Sequence, residues 1–484
     1  MQAKINKLKK KLKLLSIENE NHLSELELVL EKLITLSSQD QHLLCHLGLV
    51  KYALKKYEEA ATLLEQNKDF GFRKAETLSC LHFSHKELGN YEAALRYGKE
   101  ACALDPKNSV HFHNLGVLHS QLGEFSDAER LYLKAIELDS YSGTYHRHLS
   151  NIKRYQDHND KHLCLMLKLL NENNDNLEND PEIYIALGNA YKSIGNIKAS
   201  FAYWKIGNNL KKAQEKYSFD HEEKVYKAIG AFYQLTKAQN VNIPTTKLVP
   251  IFIVGMPRSG TTLLEQRLSR VKDIMPLGEL PYIANFVNEY TSGEKPVTND
   301  TLQALREEYL EKISSKSNGF RYCIDKMPAN FRFIGCIKRA LPEAKIIHIK
   351  RQAEAVCWSN YVKYFTNDGL NYSWDLADVV RYYKWYENMM KFWQTEYPDG
   401  WLNVNYEQLT EATSEVEKNI FDYIGVSKDN VSAEDPRRII NTASLQQVRQ
   451  KIYAGSSQDW EKYSPYIGGA FDSLRVKRFN VLPR

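Results

Sequence analysis

The residues best suited to chemistry lie in a glycine-bounded loop, residues 255–262, which reads GMPRSGTT between an apolar run and a helical stretch. Its glycines let backbone N–H groups converge on an anion, and a helix opening at Thr261 adds its positive dipole end. Nucleotide-hydrolysing loops of the Walker type place a lysine at the position of Thr261, where it reaches the β- and γ-phosphates. Here the cation is Arg258, inside the turn. We therefore expect the loop to bind a 5′-phosphate to which a group other than a phosphoryl chain is attached, without a metal ion.

A second pair of polar residues is spaced to bind another phosphate. Arg351 follows the apolar run AKIIHIK, and Ser359 comes eight residues later, on the helix expected to follow that run. A guanidinium and a hydroxyl at this separation can both reach one phosphate, the first as a charged fork and the second as a neutral donor.

A parallel sheet is the element expected to position these residues. In the second half of the chain, amphipathic helical stretches alternate with short β-branched runs, which read IFIVG, RYCID, AKIIHIK and WLNVNY. Such alternation is typical of a parallel sheet with crossover helices. Ligands of these sheets bind at the carboxyl ends of the strands.

The sequence PRSGTT after a strand resembles the phosphosulfate-binding loop of sulfotransferases, which use 3′-phosphoadenylyl sulfate (PAPS). The segment IKRQAEAVCWSNYVKYF resembles the family's 3′-phosphate clamp, and NVNYEQL, residues 403–409, resembles its late strand ending in Tyr-Glu. Tyr406 in that strand fits packing in the sheet as well as ligand contact. The resemblance implies these cofactor contacts: Pro257, Arg258, Ser259, Gly260, Thr261, Thr262, Arg351, Ser359 and Tyr406.

The resemblance extends to the tyrosyl-protein sulfotransferases and to bacterial proteins that join tetratricopeptide repeats to such a domain. In PLGELPY, Glu279 stands where that branch carries its catalytic base, and Lys326 in IDKMP resembles the catalytic lysine near the transferred sulfuryl group. The segment SLQQVRQKIY resembles a part of the family that closes over the cofactor. It offers Ser444 and Lys451 as cofactor contacts, with Arg449 as the alternative cation.

Two of these assignments also have a plain structural interpretation. Glu279 could be a surface carboxylate at a helix start, where a negative charge favours the helix dipole. Lys326 could simply cap a buried strand. Arg258 resembles a residue that both binds the cofactor and takes part in catalysis in the family. An arginine in a tight turn contributes little to the structure, so we expect a functional role for it.

The N-terminal half contains an internal repeat with a period of 34 residues. A degenerate fourth unit lies near Gly143, and a fifth near Pro181 restores the pattern after a slip of four residues. Small residues at fixed positions let paired helices approach closely, which resembles the tetratricopeptide repeat. The alternative is an unrelated helical bundle. With starts at Gln41, Ala75 and Ser109, the eighth position is Gly48, His82 and Gly116, and the twentieth is Ala60, Ala94 and Ala128.

These patterns predict an α + α/β chain, in which a tetratricopeptide helical solenoid precedes a P-loop-like parallel-sheet α/β sulfotransferase domain. The break QNVNIPTTKLVP, with two prolines, marks the boundary. The predicted parts are an N-terminal helical segment at residues 1–40, the repeat array at 41–212, a connecting helix and linker at 213–245, and the sulfotransferase domain at 246–484.

Bulk properties restrict the class of protein further. The formal net charge of +5 is small for 484 residues and gives no strong case for nucleic acid. Seven cysteines without a CxxC pair suit a reduced, cytoplasmic protein, and no segment approaches the roughly 18 apolar residues of a membrane span. We therefore expect neither the membrane anchor nor the lumenal disulfides of the animal enzymes.

The function that the resemblance implies is in-line sulfuryl transfer from PAPS to an acceptor hydroxyl, most readily a protein tyrosine presented by the repeat groove. Adenosine 3′,5′-bisphosphate is the expected second product, and no metal is required. The alternatives are transfer to a glycan or small molecule, a catalytically silent repeat scaffold, and a phosphoryl-transfer enzyme.

Overall fold

The computed structural model describes residues 2–36, 40–68, 73–172, 175–243, 246–366, 369–427, 431 and 456–475. The chain divides into two compact units. The first comprises Met1–Arg154 and Met166–Leu177, and the second comprises Tyr155–Leu165 and Glu178–Arg484.

The first unit is helical, and its helices are paired as the repeat pattern predicts. Its helices, together with the two that lead toward the second unit, are Gln2–Leu12, Glu20–Leu36, Gln41–Ala53, Tyr57–Asn67, Lys74–Glu87, Tyr91–Leu104, Ser109–Leu122, Phe125–Leu138, Gly143–Ile152, Lys161–Asn171 and Asp175–Glu178. The side chain of Asn108 accepts a hydrogen bond from the Val110 N–H and thereby caps the helix that starts the third repeat.

The small residues of the repeat lie where two helices meet. A Cβ added to Gly116 would lie 2.8 Å from the Tyr132 ring. Ala60, Ala94 and Ala128 are completely buried. The predicted tetratricopeptide fold is therefore confirmed. Helices begin at the predicted Gln41 and Ser109, and at Lys74, one residue before the predicted Ala75.

The second unit begins with the last helical hairpin of the repeat pattern. Its helices Pro181–Ser193 and Ile197–Glu215 pack so closely that a Cβ on Gly188 would lie 2.2 Å from Trp204. The next helix is Phe219–Thr236. Within the predicted connecting segment 213–245, the helical stretch is interrupted, because Lys216 adopts a left-handed conformation and Ser218 caps the following helix.

A parallel sheet follows, with strands β1 Val249–Val254, β2 Ile274–Pro276, β3 Tyr322–Asp325, β4 Lys345–Lys350 and β5 Leu402–Asn405. The strand order is β2-β3-β1-β4-β5, and every pair is parallel. Four of these strands were predicted, whereas β2 is too short to leave an apolar pattern. The sheet is covered on both faces: Phe252 and Val254 belong to one apolar cluster and Ile251 and Ile253 to another.

The connecting helices and turns of the second unit cover the two faces and carry the loops of one sheet edge. They are Thr261–Leu268, Tyr282–Thr291, Thr301–Ser314, Pro328–Phe333, Ile334–Ala340, Ala353–Tyr361, Asn371–Trp374, Leu376–Glu396, Tyr406–Glu411, Thr413–Ile424, Asp459–Tyr463 and Asp472–Arg475.

Candidate active site

The predicted polar residues gather at one edge of the sheet, where its parallel strands end. The 255–262 loop follows β1, Glu279 comes three residues after β2, and Lys326 directly follows β3. Arg351 follows β4 and Tyr406 follows β5. Every strand of the sheet in the described part of the chain therefore delivers one predicted site residue to the same edge.

The loop after β1 has the backbone that its glycines suggest. Gly255 and Gly260 have φ angles of +150° and +108°. A Cβ on Gly255 would lie 2.6 Å from the Ile349 carbonyl oxygen, and one on Gly260 would lie 2.3 Å from the Tyr406 ring. Arg258 has a φ of +71°, an uncommon conformation for a residue with a side chain. Such a conformation persists where the surroundings fix it, and often at ligand sites.

Ser259 places a buried hydroxyl inside this loop. Its side chain is 1% exposed, and its Oγ has no hydrogen-bond partner among the described residues. Leaving a buried polar group unpaired costs about 1–3 kcal/mol. Because the helix Thr261–Leu268 begins in the last two residues of the loop, a bound anion would interact favourably with the helix dipole and with this hydroxyl. The residues present thus fit a bound phosphate.

Arg258 and Arg351 lie side by side at the anion end of the site. The Arg258 Nε donates to Ser359 Oγ at 3.0 Å, and the Arg351 Nη1 donates to the Arg258 carbonyl oxygen at 3.2 Å. The Arg351 guanidinium lies over the Tyr406 ring, 4.5 Å from its centre. The structure therefore brings together the predicted Arg258, Arg351, Ser359 and Tyr406.

The electrostatics of the two arginines favour an anionic ligand. Burial, together with the nearby charge of Arg351, lowers the pKa of Arg258 to about 10. Burial also lowers the pKa of Arg351. Since burial disfavours the ionised form of both guanidinium groups, and the charge of Arg351 adds to this at Arg258, a bound phosphate would favour both charges.

A second cluster surrounds Lys326 at the neighbouring strand ends. Its Nζ donates to Glu279 Oε1 at 2.5 Å and lies 3.9 Å from Glu265 Oε2. The Lys326 side chain is 1% exposed, compared with 41% for Glu279 and 13% for Glu265. The backbone N–H of Lys326 donates to the Gly278 carbonyl at 2.9 Å, which fixes the position of the adjacent Glu279. The strand end thus presents a buried cation beside a solvent-accessible carboxylate.

Several residues of the site were not predicted from the sequence. Glu265 lies one turn after the start of the helix Thr261–Leu268, on the side that faces Lys326. In the sequence, its carboxylate was the only feature that could have pointed to the site. The Asn360 amide is fully buried and donates to the Pro257 carbonyl at 2.8 Å, so it holds the loop in place. It follows Ser359 directly in the sequence.

Ser456 and Ser457, which follow the undescribed residues 432–455, bind the Arg351 guanidinium. Its Nη2 donates to the Ser456 carbonyl at 2.8 Å, and its Nε donates to Ser457 Oγ at 3.1 Å. The Ser457 hydroxyl in turn donates to Glu407 Oε1 at 2.7 Å. No pattern in the sequence links these serines to the site. The predicted cofactor contacts Ser444 and Lys451, with the alternative Arg449, lie outside the described residues.

Across the ranges given above, no group of three or more His, Cys, Asp or Glu side chains is placed to hold a metal ion. None of the helices in the described part of the chain combines the length and the apolar character needed to cross a membrane.

Two family models match parts of the chain. Residues 250–430 match the model of the sulfotransferase family, and residues 110–138 match a tetratricopeptide repeat model. The chain thus carries a sulfotransferase-family domain together with tetratricopeptide repeats.

Two relatives share part of the sequence. An uncharacterized protein of Aquifex aeolicus (strain VF5) is 30% identical over 244 residues, which are 47% of this chain and 32% of the relative. A protein of Caenorhabditis briggsae named "Putative protein-tyrosine sulfotransferase" is 26% identical over 184 residues, 36% of this chain and 64% of the relative. The chain therefore spans about a third of the first relative's length and under two thirds of the second's.

Solved structures resemble the chain only in part. A sulfotransferase domain from the curacin biosynthetic pathway covers 48% of this chain and 93% of its own, with 15% identity and a TM-score of 0.27. A tetratricopeptide repeat protein from Parabacteroides merdae covers 44% of this chain and 87% of its own, with 18% identity and a TM-score of 0.33.

Proposed function

We propose that this chain, whose sulfotransferase-family domain follows tetratricopeptide repeats, transfers a sulfuryl group from PAPS to the hydroxyl of a protein tyrosine. The observation that carries the proposal is the loop at residues 255–262. Its buried Ser259 hydroxyl, which has no hydrogen-bond partner within the described ranges, and the neighbouring cations Arg258 and Arg351 suit an anion, and no lysine stands at the Walker position. The sulfotransferase-family match over residues 250–430 supports the same chemistry.

The anion end would hold the nucleotide through its two phosphates. The loop N–H groups, the Ser259 hydroxyl and Arg258 would bind the 5′-phosphate, and Arg351 with Ser359 would bind the 3′-phosphate. When bound, PAPS supplies the sulfuryl group, and adenosine 3′,5′-bisphosphate is the second product. Charge-assisted hydrogen bonds from guanidinium to phosphate are about twice as strong as neutral ones. Affinity should therefore depend on both phosphates.

The transfer end would be formed by Glu279 and Lys326. Glu279 is accessible to solvent and can accept the proton of an acceptor hydroxyl, provided that its oxygen lies within hydrogen-bond reach. Lys326 is buried beside it and would stabilise the negative charge that develops on the transferred group and on the leaving oxygen. Because the two side chains already lie 2.5 Å apart, both functions fall within the same small volume.

A protein acceptor is favoured by the other parts of the chain. Tetratricopeptide repeats commonly bind proteins, and one relative is named a "Putative protein-tyrosine sulfotransferase". The proposed compartment is the cytoplasm, which suits the seven free cysteines. Transfer to a glycan or small molecule uses the same site and is distinguished by the labelled product.

The nucleotide class can be tested by calorimetric titration of the full chain. We expect adenosine 3′,5′-bisphosphate to bind tightly in the presence of a chelator, and ATP with magnesium to bind weakly. A preference for ATP with magnesium would reject the proposal in favour of a phosphoryl-transfer enzyme. Tight bisphosphate binding without turnover of PAPS would identify a catalytically silent scaffold.

A further inference from the structure

The end of the helix Ala353–Tyr361 contacts the loop after β1 through two consecutive residues. The Ser359 hydroxyl accepts a hydrogen bond from the Arg258 Nε at 3.0 Å. The Asn360 Nδ2 donates to the Pro257 carbonyl at 2.8 Å. The position of this helix end therefore decides where the Ser359 hydroxyl lies relative to the loop.

The two residues that flank this pair, Trp358 and Tyr361, contact the last repeat instead. They are three residues apart, so they lie on one face of their helix. Their neighbour is the second helix of the last repeat, Ile197–Glu215. The Phe201 ring lies 6.3 Å from the rings of both Trp358 and Tyr361, and the Trp204 ring meets that of Trp358 edge to face at 6.0 Å. The helix end thus lies between the last repeat and the loop.

Asn208 joins the last repeat to this helix end by a buried hydrogen bond. Its side chain is 1% exposed, and its Nδ2 donates to the Tyr361 carbonyl at 2.9 Å. Tyr361 is the last residue of its helix, where carbonyl groups have no partner inside the helix. Phe201, Trp204 and Asn208 are spaced three and four residues apart and lie along one face of the repeat helix. One face of the last repeat therefore holds the end of the helix that carries Ser359.

The same repeat helix contacts the segment that binds Arg351. The Ser200 Oγ donates to the Tyr463 hydroxyl at 3.3 Å. Tyr463 ends the short helix Asp459–Tyr463, which begins two residues after Ser457, a hydrogen-bond partner of Arg351. Both elements of the proposed 3′-phosphate clamp are therefore in contact with the last repeat.

We propose that the last repeat is a structural part of the nucleotide site and that Asn208 is a positioning residue for the 3′-phosphate clamp. This inference rests on the proposed function. Asn208 acts through the helix end, because its hydrogen bond to the Tyr361 carbonyl fixes the turn that presents the Ser359 hydroxyl. A change in the last repeat would then alter nucleotide binding without any contact between the repeat and the nucleotide.

The alternative is that Asn208 stabilises the fold and does nothing further. Its replacement would then lower the stability of the chain and leave the preference of the folded protein for the bisphosphate unchanged. Asn67 provides a matched control in the first unit. It is also a buried asparagine, and its Nδ2 donates to a backbone carbonyl, that of Leu63, at 2.8 Å.

The test is calorimetric titration of full-length wild type, Asn208→Leu, Phe201→Leu and Asn67→Leu with adenosine 3′,5′-bisphosphate and with adenosine 5′-monophosphate. Leucine has a similar shape to asparagine but no donor. In Asn208→Leu, we expect the preference for the bisphosphate over the monophosphate to fall by roughly three- to tenfold, which corresponds to the loss of one neutral hydrogen bond. A movement of the whole loop would weaken both nucleotides alike and would cancel in this ratio.

The other two variants have smaller expected effects. Phe201→Leu keeps the hydrogen bond of Asn208 and removes only the ring contacts with Trp358 and Tyr361, so the preference should fall by about two- to threefold. Asn67→Leu should match wild type in its preference.

The inference is overturned if wild type prefers the bisphosphate and folded Asn208→Leu keeps that preference or binds both nucleotides equally more weakly. An equal fall of the preference in Asn67→Leu would also overturn it, because the effect would then follow from lost stability alone. If Asn208→Leu does not fold, an unchanged preference in Phe201→Leu refutes the inference. If wild type itself does not prefer the bisphosphate, the proposed function fails and this inference fails with it.

Discussion

Replacement of Lys326 by methionine should separate the contribution of this residue to turnover from its contribution to the stability of the fold. The substitution keeps the length of the side chain and removes its charge. It leaves Glu279 and Glu265 without the cation that now lies 2.5 Å and 3.9 Å from them. Breaking an ion pair in which both charges are buried costs about 3–5 kcal/mol.

The expected loss of stability is smaller than that range, because the Glu279 side chain is 41% exposed and water can solvate it. We expect the free energy of unfolding to fall by about 1–2 kcal/mol, between the values of buried and exposed pairs. Turnover should fall by roughly 10²–10³-fold, as when a preorganised donor to developing negative charge is removed. Urea denaturation and initial rates of transfer from PAPS measure the two effects on the same preparation.

Two further variants give this prediction its controls. The double variant Lys326→Met/Glu279→Gln should recover part of the lost stability without recovering turnover. Lys312→Met breaks an exposed ion pair with Glu308, and it should change stability by at most about 1 kcal/mol with normal turnover. Wild-type turnover in Lys326→Met would refute the catalytic role of the lysine. Full rescue of turnover in the double variant would refute the roles given to both residues.

The remaining predictions concern the anion end and the sheet. Arg351→Ala should weaken binding of adenosine 3′,5′-bisphosphate by roughly tenfold or more and hardly change that of adenosine 5′-monophosphate, as measured by calorimetry; equal losses would exclude the clamp. Gly260→Ala should abolish bisphosphate binding, because its φ of +108° and the Tyr406 ring 2.3 Å from the new Cβ force the loop to move; an unchanged dissociation constant would contradict this geometry. Burial lowers the pKa of His348 to about 3, so the folded state keeps this ring neutral while the unfolded state, with a pKa of about 6.5, binds the proton. The contribution of neutral His348 to stability is complete above about pH 6.5 and is lost as the pH falls toward about 3. Urea denaturation at several pH values should therefore show that the free energy of unfolding falls less steeply with decreasing pH in His348→Gln than in wild type.

The local parts of the site could be predicted from the sequence. The 255–262 loop is a continuous motif, and its glycines indicate the positions where the backbone adopts positive φ angles. Arg351 and Lys326 follow predicted strands, and the parallel arrangement brings strand ends to one edge, so their proximity follows from the fold class. The repeat could also be predicted from the sequence, since its units place small residues at the same positions, with His82 as an exception.

The contacts that depend on tertiary packing could not be predicted. Ser457 is more than a hundred residues away from Arg351 in the sequence, yet its hydroxyl accepts a hydrogen bond from that side chain. Asn208 lies in a repeat helix and donates to the Tyr361 carbonyl, at the end of the helix that carries Ser359. In the sequence, nothing distinguishes Glu265 from an ordinary surface glutamate. Only the structure shows that it lies close to Lys326. β2 has three residues, which is too few for a periodic signal.

The central claim is sulfuryl transfer with Glu279 as the base, and transfer of radiolabelled sulfate from PAPS tests it most directly. The wild-type chain and Glu279→Gln would each be incubated with labelled PAPS and a whole-cell extract, which is then separated into protein, polysaccharide and small-molecule fractions. We predict label in the protein fraction, recovered as tyrosine sulfate. With Glu279→Gln the transfer rate should fall by about 10²–10⁴-fold while bisphosphate binding is retained. Absence of label in every fraction with wild type, or undiminished transfer with Glu279→Gln, would contradict the account.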